Sequence, residues 1–121
     1  DVACIIARVK VGGEEVRRVK AIVEIEEVGN QVGNIKTNTP FMWDPRSDAF
    51  FFKTESKLFD KLVLEYGLSR EKLNQEFENR TKLLVELYKR NISDYKEVQN
   101  IINAYYKSPE EVLRRFSIRW A

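Results

Sequence analysis

Two adjacent glycines, Gly12 and Gly13, stand between two runs of strand-forming residues, and this arrangement constrains the start of the chain more than anything else in it. Glycine admits the positive φ angles that a tight hairpin turn requires. Before the turn, Val2 to Ala7 is an unbroken apolar run, which predicts a strand covered on both faces, deep inside a sheet rather than at its edge. From Ala7 to Val11 the pattern alternates, with Arg8 and Lys10 against Ala7, Val9 and Val11, as in a half-buried strand. After the turn, Val19, Ala21, Val23 and Ile25 fall on one face and Lys20, Glu24 and Glu26 on the other, with Ile22 out of pattern. Val16 and Val19 are an odd number of residues apart, with Arg17 and Arg18 between them. A bulge at the two arginines would reconcile the pattern and re-aim their side chains. Two readings follow: both arginines are solvated and offset Glu14, Glu15 and Glu24, or they contact an anion.

Gly29 to Asn34 has the composition of a second turn, two glycines and two asparagines. A second hairpin is expected from Ile35 to Trp43 and from Ala49 to Lys53, joined through Asp44, Pro45, Arg46, Ser47 and Asp48. Proline presets that turn, and the aspartates can bond nearby amides. Phe41 and Trp43 share a face, as do Phe50 and Phe52, while Met42 and Phe51 point the other way. Trp43 is expected to be a buried anchor, and Pro40 to mark an edge strand or a late start.

From Ser56 the period becomes helical. Leu58, Phe59, Leu62, Val63 and Tyr66 form an amphipathic helix between a Ser56 cap and a Gly67 stop. Ser69 caps a second helix whose stripe is Leu73, Phe77, Leu84, Leu87 and Tyr88. Arg80 lies on that stripe, so its stem is expected to be packed and its head paired with a carboxylate or carbonyl. Asn91 ends this helix, and Ser93 or Asp94 starts a third with Tyr95, Val98, Ile101, Ile102 and Tyr105 on one face. Ser108, Pro109, Glu110 and Glu111 have the pattern of a capping box for a fourth helix, which can bury Val112, Leu113 and Phe116.

At 121 residues the chain is one small domain or part of a larger one, and its opening Asp1-Val2, inside a strand-like run, suggests a piece of a longer protein. Its formal net charge of +2 does not suggest a dedicated nucleic-acid binder. The lone Cys4 and the absence of histidine remove disulfide frameworks, most zinc sites and histidine-dependent nucleophile pairs. A reducing, cytoplasmic setting is expected, with no direct membrane insertion.

Three stretches, from Ala7 to Gly29, from Pro40 to Phe52 and from Leu73 to Phe116, together resemble the carboxy-terminal part of archaeal secretion ATPases of the type II/type IV superfamily, which includes the archaellum and pilus motor ATPases. The resemblance rests on the paired Arg17 and Arg18 followed by Ile22 to Ile25, the Trp43-Asp44-Pro45 turn, and the Tyr105-Tyr106 to Glu110 pattern. Asn91 stands where that pattern has glycine, a change the left-handed cap tolerates. The resemblance implies a homo-hexameric parent that uses ATP and magnesium at the cytoplasmic face of a membrane and docks on a polytopic platform protein. The phosphate loop Gly-x-x-x-x-Gly-Lys-Ser/Thr does not occur in this sequence. No catalytic residue, cofactor or metal is therefore assigned to the chain itself, and Arg17 and Arg18 are its candidates for a nucleotide phosphate or a subunit interface.

The expected fold is α+β: two antiparallel hairpins, a sheet remnant of a RecA-like core over residues 1–54, packed on about four helices in the C-terminal region 55–121. Glu24, Trp43, Asp44, Pro45 and Arg80 are expected to act structurally. The rival readings are a free-standing protein-interaction module and, supported only by scattered basic residues and tyrosines, a nucleic-acid-binding domain.

Overall fold

The computed structural model describes residues 1–28 and 33–121. They form two compact units, Asp1–Gly67 and Leu68–Ala121. The first holds strands β1 (Val2–Val11), β2 (Glu14–Val28), β3 (Ile35–Asp44) and β4 (Ala49–Phe52) with helix α1 (Lys57–Tyr66). The second holds α2 (Arg70–Lys89), α3 (Tyr95–Lys107) and α4 (Pro109–Arg115). The α+β class, with two antiparallel hairpins and four helices among the described residues, is as expected. Residues 29–32 of the turn expected after β2 lie outside the described ones.

The strands form one antiparallel sheet in the order β1-β2-β3-β4. This corrects the expectation for the first strand. The apolar run of β1 lies at the sheet edge, where Val2, Cys4, Ile5 and Ile6 are exposed, Ile6 by 61%. Hydrophobicity reports what a strand can bury, and the described residues supply no strand beyond it.

The β-bulge is real but displaced. Ile5 pairs with Ala21 and Ile6 with Val19, so the extra residue is Lys20, beyond the two arginines. Because Ile5 and Ile6 face opposite ways and paired residues share a face, Val19 and Ala21 lie on opposite faces and do not continue one stripe. A second irregularity lies on β3: Ile22 pairs with Phe41 but Glu24 with Asn38, which leaves Thr39 and Pro40 in the offset. Pro40 therefore sits at a bulge inside the sheet, fully buried, rather than marking an edge. The second hairpin has the expected faces, and its register sets Phe41 opposite Phe52, Met42 opposite Phe51 and Trp43 opposite Phe50. The Phe41 and Phe52 rings lie 4.3 Å apart between centroids. All of β4 is exposed, however, so only Trp43 among these aromatics is buried.

In the second unit each helix boundary has a local cause. Ser69 caps α2 by accepting from the Lys72 amide, and Asp94 caps α3 by accepting from Glu97. Past α2, Asn91 takes φ 55°, its amide donates to Tyr88 O and that of Ile92 donates to Leu87 O, a Schellman motif. The same pair of bonds closes α4, with Ser117 at φ 56° donating to Arg114 O and Ile118 to Leu113 O. The expected capping box of α4 is not made. Ser108 serves both helices: its amide closes α3 on Ala104 O, and its side chain makes no cap bond. Pro109 at the first position does start the helix as expected.

The core of this unit is Leu83, Leu87, Ile101, Tyr105, Val112, Leu113 and Phe116, with Ile92, Val98, Ala104 and Ile118 packed at its margin. The buried face of α2 therefore runs through Leu83 and Leu87, whereas Phe77, Leu84 and Tyr88 of the expected stripe are exposed. On α3 the expected face is likewise trimmed, with Tyr95 and Ile102 exposed.

Candidate functional site

The two arginines of β2 have different fates. Alternation along the strand separates them, with Arg18 paired opposite Ala7 and Arg17 opposite Arg8. Arg18 is half-buried, and its fork grips the Asp48 carboxylate through Nε at 2.8 Å and Nη2 at 2.9 Å. Its remaining Nη1 donates to Arg17 O at 2.8 Å. Asp48, in the turn after β3 with φ 50°, also accepts from the Trp43 indole Nε1 at 2.7 Å. The Arg18 hydrogen bond, followed by that of Trp43, holds the Asp48 carboxyl down at about 2. Arg18 is thus committed to a bidentate internal pair that fixes the turn between β3 and β4 against β2.

Arg17 is exposed, and across the hairpin it faces Arg8, also exposed. Like charges directly opposite each other on antiparallel strands destabilise the pair unless something neutralises them. Asp44 and Pro45 lie in the same turn as Asp48. The Asp44 carboxylate accepts from the Arg46 amide at 2.9 Å and from the Ser47 hydroxyl at 3.1 Å, which shapes the turn locally.

Glu24 joins the sheet to α1. The alternation placed it on a polar face, yet it is only 6% exposed, because α1 begins directly over it. Its carboxylate accepts from the Ser56 hydroxyl, from Asn38 Nδ2 at 2.9 Å, and from the amides of Lys57 and Leu58 at the start of the helix. Burial by itself would raise the Glu24 pKa, but these four donors outweigh it and the net shift is downward. Ser56 meanwhile accepts from the Phe59 amide, the expected cap. Glu24 and Ser56 together therefore serve the N-terminus of α1, where a negative charge also meets the positive end of the helix dipole.

Arg80 lies outside this cluster, in the second unit. Its Nε donates to Glu76 Oε1 at 2.8 Å, and the Tyr105 hydroxyl donates to the same oxygen at 2.8 Å. Burial, with the bond to Glu76 second, pushes the Tyr105 hydroxyl up to about 12. The guanidinium also lies 5.8 Å and 5.4 Å from the ring centroids of Tyr105 and Tyr106. This places Arg80 in a packing network that ties α2 to α3.

Sequence reasoning did not single out Asp48, Asn38 or Glu76. The signal for Asp48 was a second acidic residue in a turn that already had one, five positions past a tryptophan whose N–H needs an acceptor when buried. Among the described residues no cluster of histidine, cysteine or carboxylate side chains could hold a metal ion.

These features can be set beside known proteins. The uncharacterized proteins MJ0781 and MJ0900 of Methanocaldococcus jannaschii are 29% and 31% identical to this chain over 107 and 105 residues, matching 88% and 84% of it. A third protein of that organism, MJ1287, is 31% identical over 103 residues. The chain spans only 15%, 19% and 38% of the lengths of these relatives. The family model described as PilB3-like, C-terminal, matches residues 47–119, from the Asp48 turn through the second unit to the tail. The chain accordingly belongs to the PilB3-like, C-terminal family, and is a C-terminal domain of the kind found in pilus and secretion ATPases.

Proposed function

We propose that the chain is the non-catalytic C-terminal part of a hexameric ATP-driven pilus or secretion motor of the archaeal type II/type IV group, contributing subunit contacts and docking to a membrane platform protein. The observation that carries this reading is the family match over residues 47–119 in a chain that covers less than two-fifths of each relative named above. ATP and magnesium would then be handled by other parts of the longer protein, because the phosphate loop has no counterpart in this sequence. Of the two arginine candidates, the geometry favours Arg17: Arg18 is spent on Asp48, whereas Arg17 and Arg8 form an exposed cationic pair suited to an anionic group on a nucleotide or a neighbouring subunit.

The test uses the longer parent protein with and without this region. Removal should leave nucleotide binding in place while abolishing hexamer formation, read by light scattering, and recruitment to membranes that contain the platform protein. A truncated parent that still assembles and is still recruited would overturn the proposal.

A further inference from the structure

The last ten residues, Val112 to Ala121, carry three arginines and no acidic residue. Their fold concentrates that charge. Beyond the Schellman turn at Ser117 the tail runs back along α2, with Arg90 Nη2 donating to Phe116 O at 3.1 Å, Lys82 Nζ to Arg119 O at 3.0 Å, and the Ala121 amide to Asn79 Oδ1 at 2.8 Å. These contacts extend along α2 from Asn79 to its cap residue Arg90, about 16 Å. Arg114, Ile118, Arg119 and Trp120 line one shallow concavity of this surface, and Lys82, Lys89 and Ile118 help to line the next together with Glu78 and Glu86.

The acidic side chains on this part of α2 are already answered. Glu78 pairs with Lys82 at 3.3 Å and Glu86 with Arg90 at 3.1 Å. Lys89, Arg114, Arg115 and Arg119 remain as exposed cations, with the Trp120 indole 45% exposed among them. The helix dipole accounts for Lys89, Arg114 and Arg115 in last turns, but not for Arg119 or for an exposed tryptophan in a non-helical tail.

We propose that the end of α4 and the tail along α2 form a peripheral binding surface for anionic lipid headgroups. Tryptophan between basic residues suits the water–lipid boundary, where the indole sits at headgroup depth and the cations meet phosphates. Charge selects this occupant for the patch over the loops of a membrane protein, which are themselves rich in lysine and arginine on the cytoplasmic side and would repel it, whereas the cytoplasmic leaflet is negative. A nucleic acid fits less well, because the whole chain has a net charge of only +2 and the patch is short. The proposal rests on the motor reading for its membrane, but its test does not.

The purified chain is sedimented with neutral phosphatidylcholine vesicles and with vesicles containing about 30% phosphatidylglycerol, at low salt and at roughly 0.5 M salt. Binding should be confined to the anionic vesicles and lost at high salt. Each arginine removed should weaken it about fivefold, so Arg114→Ala with Arg119→Ala should lose roughly 25-fold. Trp120→Ala should weaken binding severalfold without changing its salt dependence, and circular dichroism checks that these exposed substitutions leave the helices intact. Equal binding to both vesicle types, no binding to either, or insensitivity to the double substitution would overturn the proposal. So would complete competition by a single-stranded oligonucleotide at low molar excess, which would assign the patch to nucleic acid. Failure here would leave the parent's assembly phenotype, and hence the motor reading, untouched.

Discussion

At the scale of single residues, Trp43 and Asp48 show how one buried donor can organise a turn. The indole is 6% exposed and its N–H is satisfied by a carboxylate that also accepts from Nε and Nη2 of Arg18. Trp43→Ala should cost about 3–5 kcal/mol by denaturant titration, a cavity of that size leaving little of a small unit's stability. A loss below about 1 kcal/mol would mean that the ring is not an anchor. The two arginines should also separate experimentally. Arg18→Ala leaves Asp48 without its main partner and should lower the melting temperature of the chain, whereas Arg17→Ala should leave it unchanged or raise it slightly by relieving the repulsion from Arg8. If the longer protein is the motor proposed above, Arg17→Ala in it should slow ATP turnover; unchanged turnover in that variant would return Arg17 to the role of a solvated side chain.

The acid response belongs to the same cluster. Asp48 has a folded pKa of about 2, depressed from its ordinary value, so its charged form is favoured by folding. Its contribution is fully present above about pH 4 and is lost as the pH falls toward about 2, and Glu24, also shifted downward, acts in the same direction. Stability measured by urea titration should therefore decline across that window in the native chain. In Asp48→Asn the decline should be shallower, from a lower starting value; an unchanged slope would show that the Arg18 pair has no part in it.

Among the secondary elements, the ends of the helices are where stability can be moved most cleanly. Ser117 occupies a left-handed position that glycine accepts without strain. Ser117→Gly should raise the stability of the second unit by about 0.5–1 kcal/mol, the relief of strain exceeding the added freedom of the unfolded chain. Thermal melting checks this, and a destabilised variant would show that the serine makes compensating contacts. Helix α1 depends on a residue far away in sequence. Glu24→Ala would remove the acceptor of the Ser56 hydroxyl, of two amides and of one of the two bonds from Asn38 Nδ2, a cost of about 2–3 kcal/mol. Hydrogen exchange in the first turn of α1 should accelerate in that variant, and unaltered protection would remove Glu24 from its capping role.

At the scale of the whole molecule, the chain folds into two compact units, each with its own means of holding together. The second has a contiguous apolar core, whereas in the first the buried residues among those described are Trp43, Pro40 and the hydrogen-bonded Glu24. No helix among the described residues is long and apolar enough to cross a membrane. The purified chain should show no ATP turnover above a control protein that lacks a phosphate loop; turnover above that control would move the chemistry into this region and contradict the proposed division.

What could be read from the sequence alone was whatever local chemistry decides. The Gly12-Gly13 hairpin, the face pattern of the second hairpin, the Ser56 and Ser69 caps, a cap at Ser93 or Asp94 and the left-handed Asn91 all follow from backbone preference within a few residues. The division of Arg17 from Arg18, the burial of Glu24, the edge position of β1 and the choice of Leu83 over Leu84 as core were decided only in three dimensions. Each depends on a partner distant in the chain: Asp48 for Arg18, α1 for Glu24, the absence of a further described strand for β1, and the packing of α3 and α4 for α2. An alternating or helical pattern says that one face will be covered, but which residues that face includes is set by the shape of what covers it.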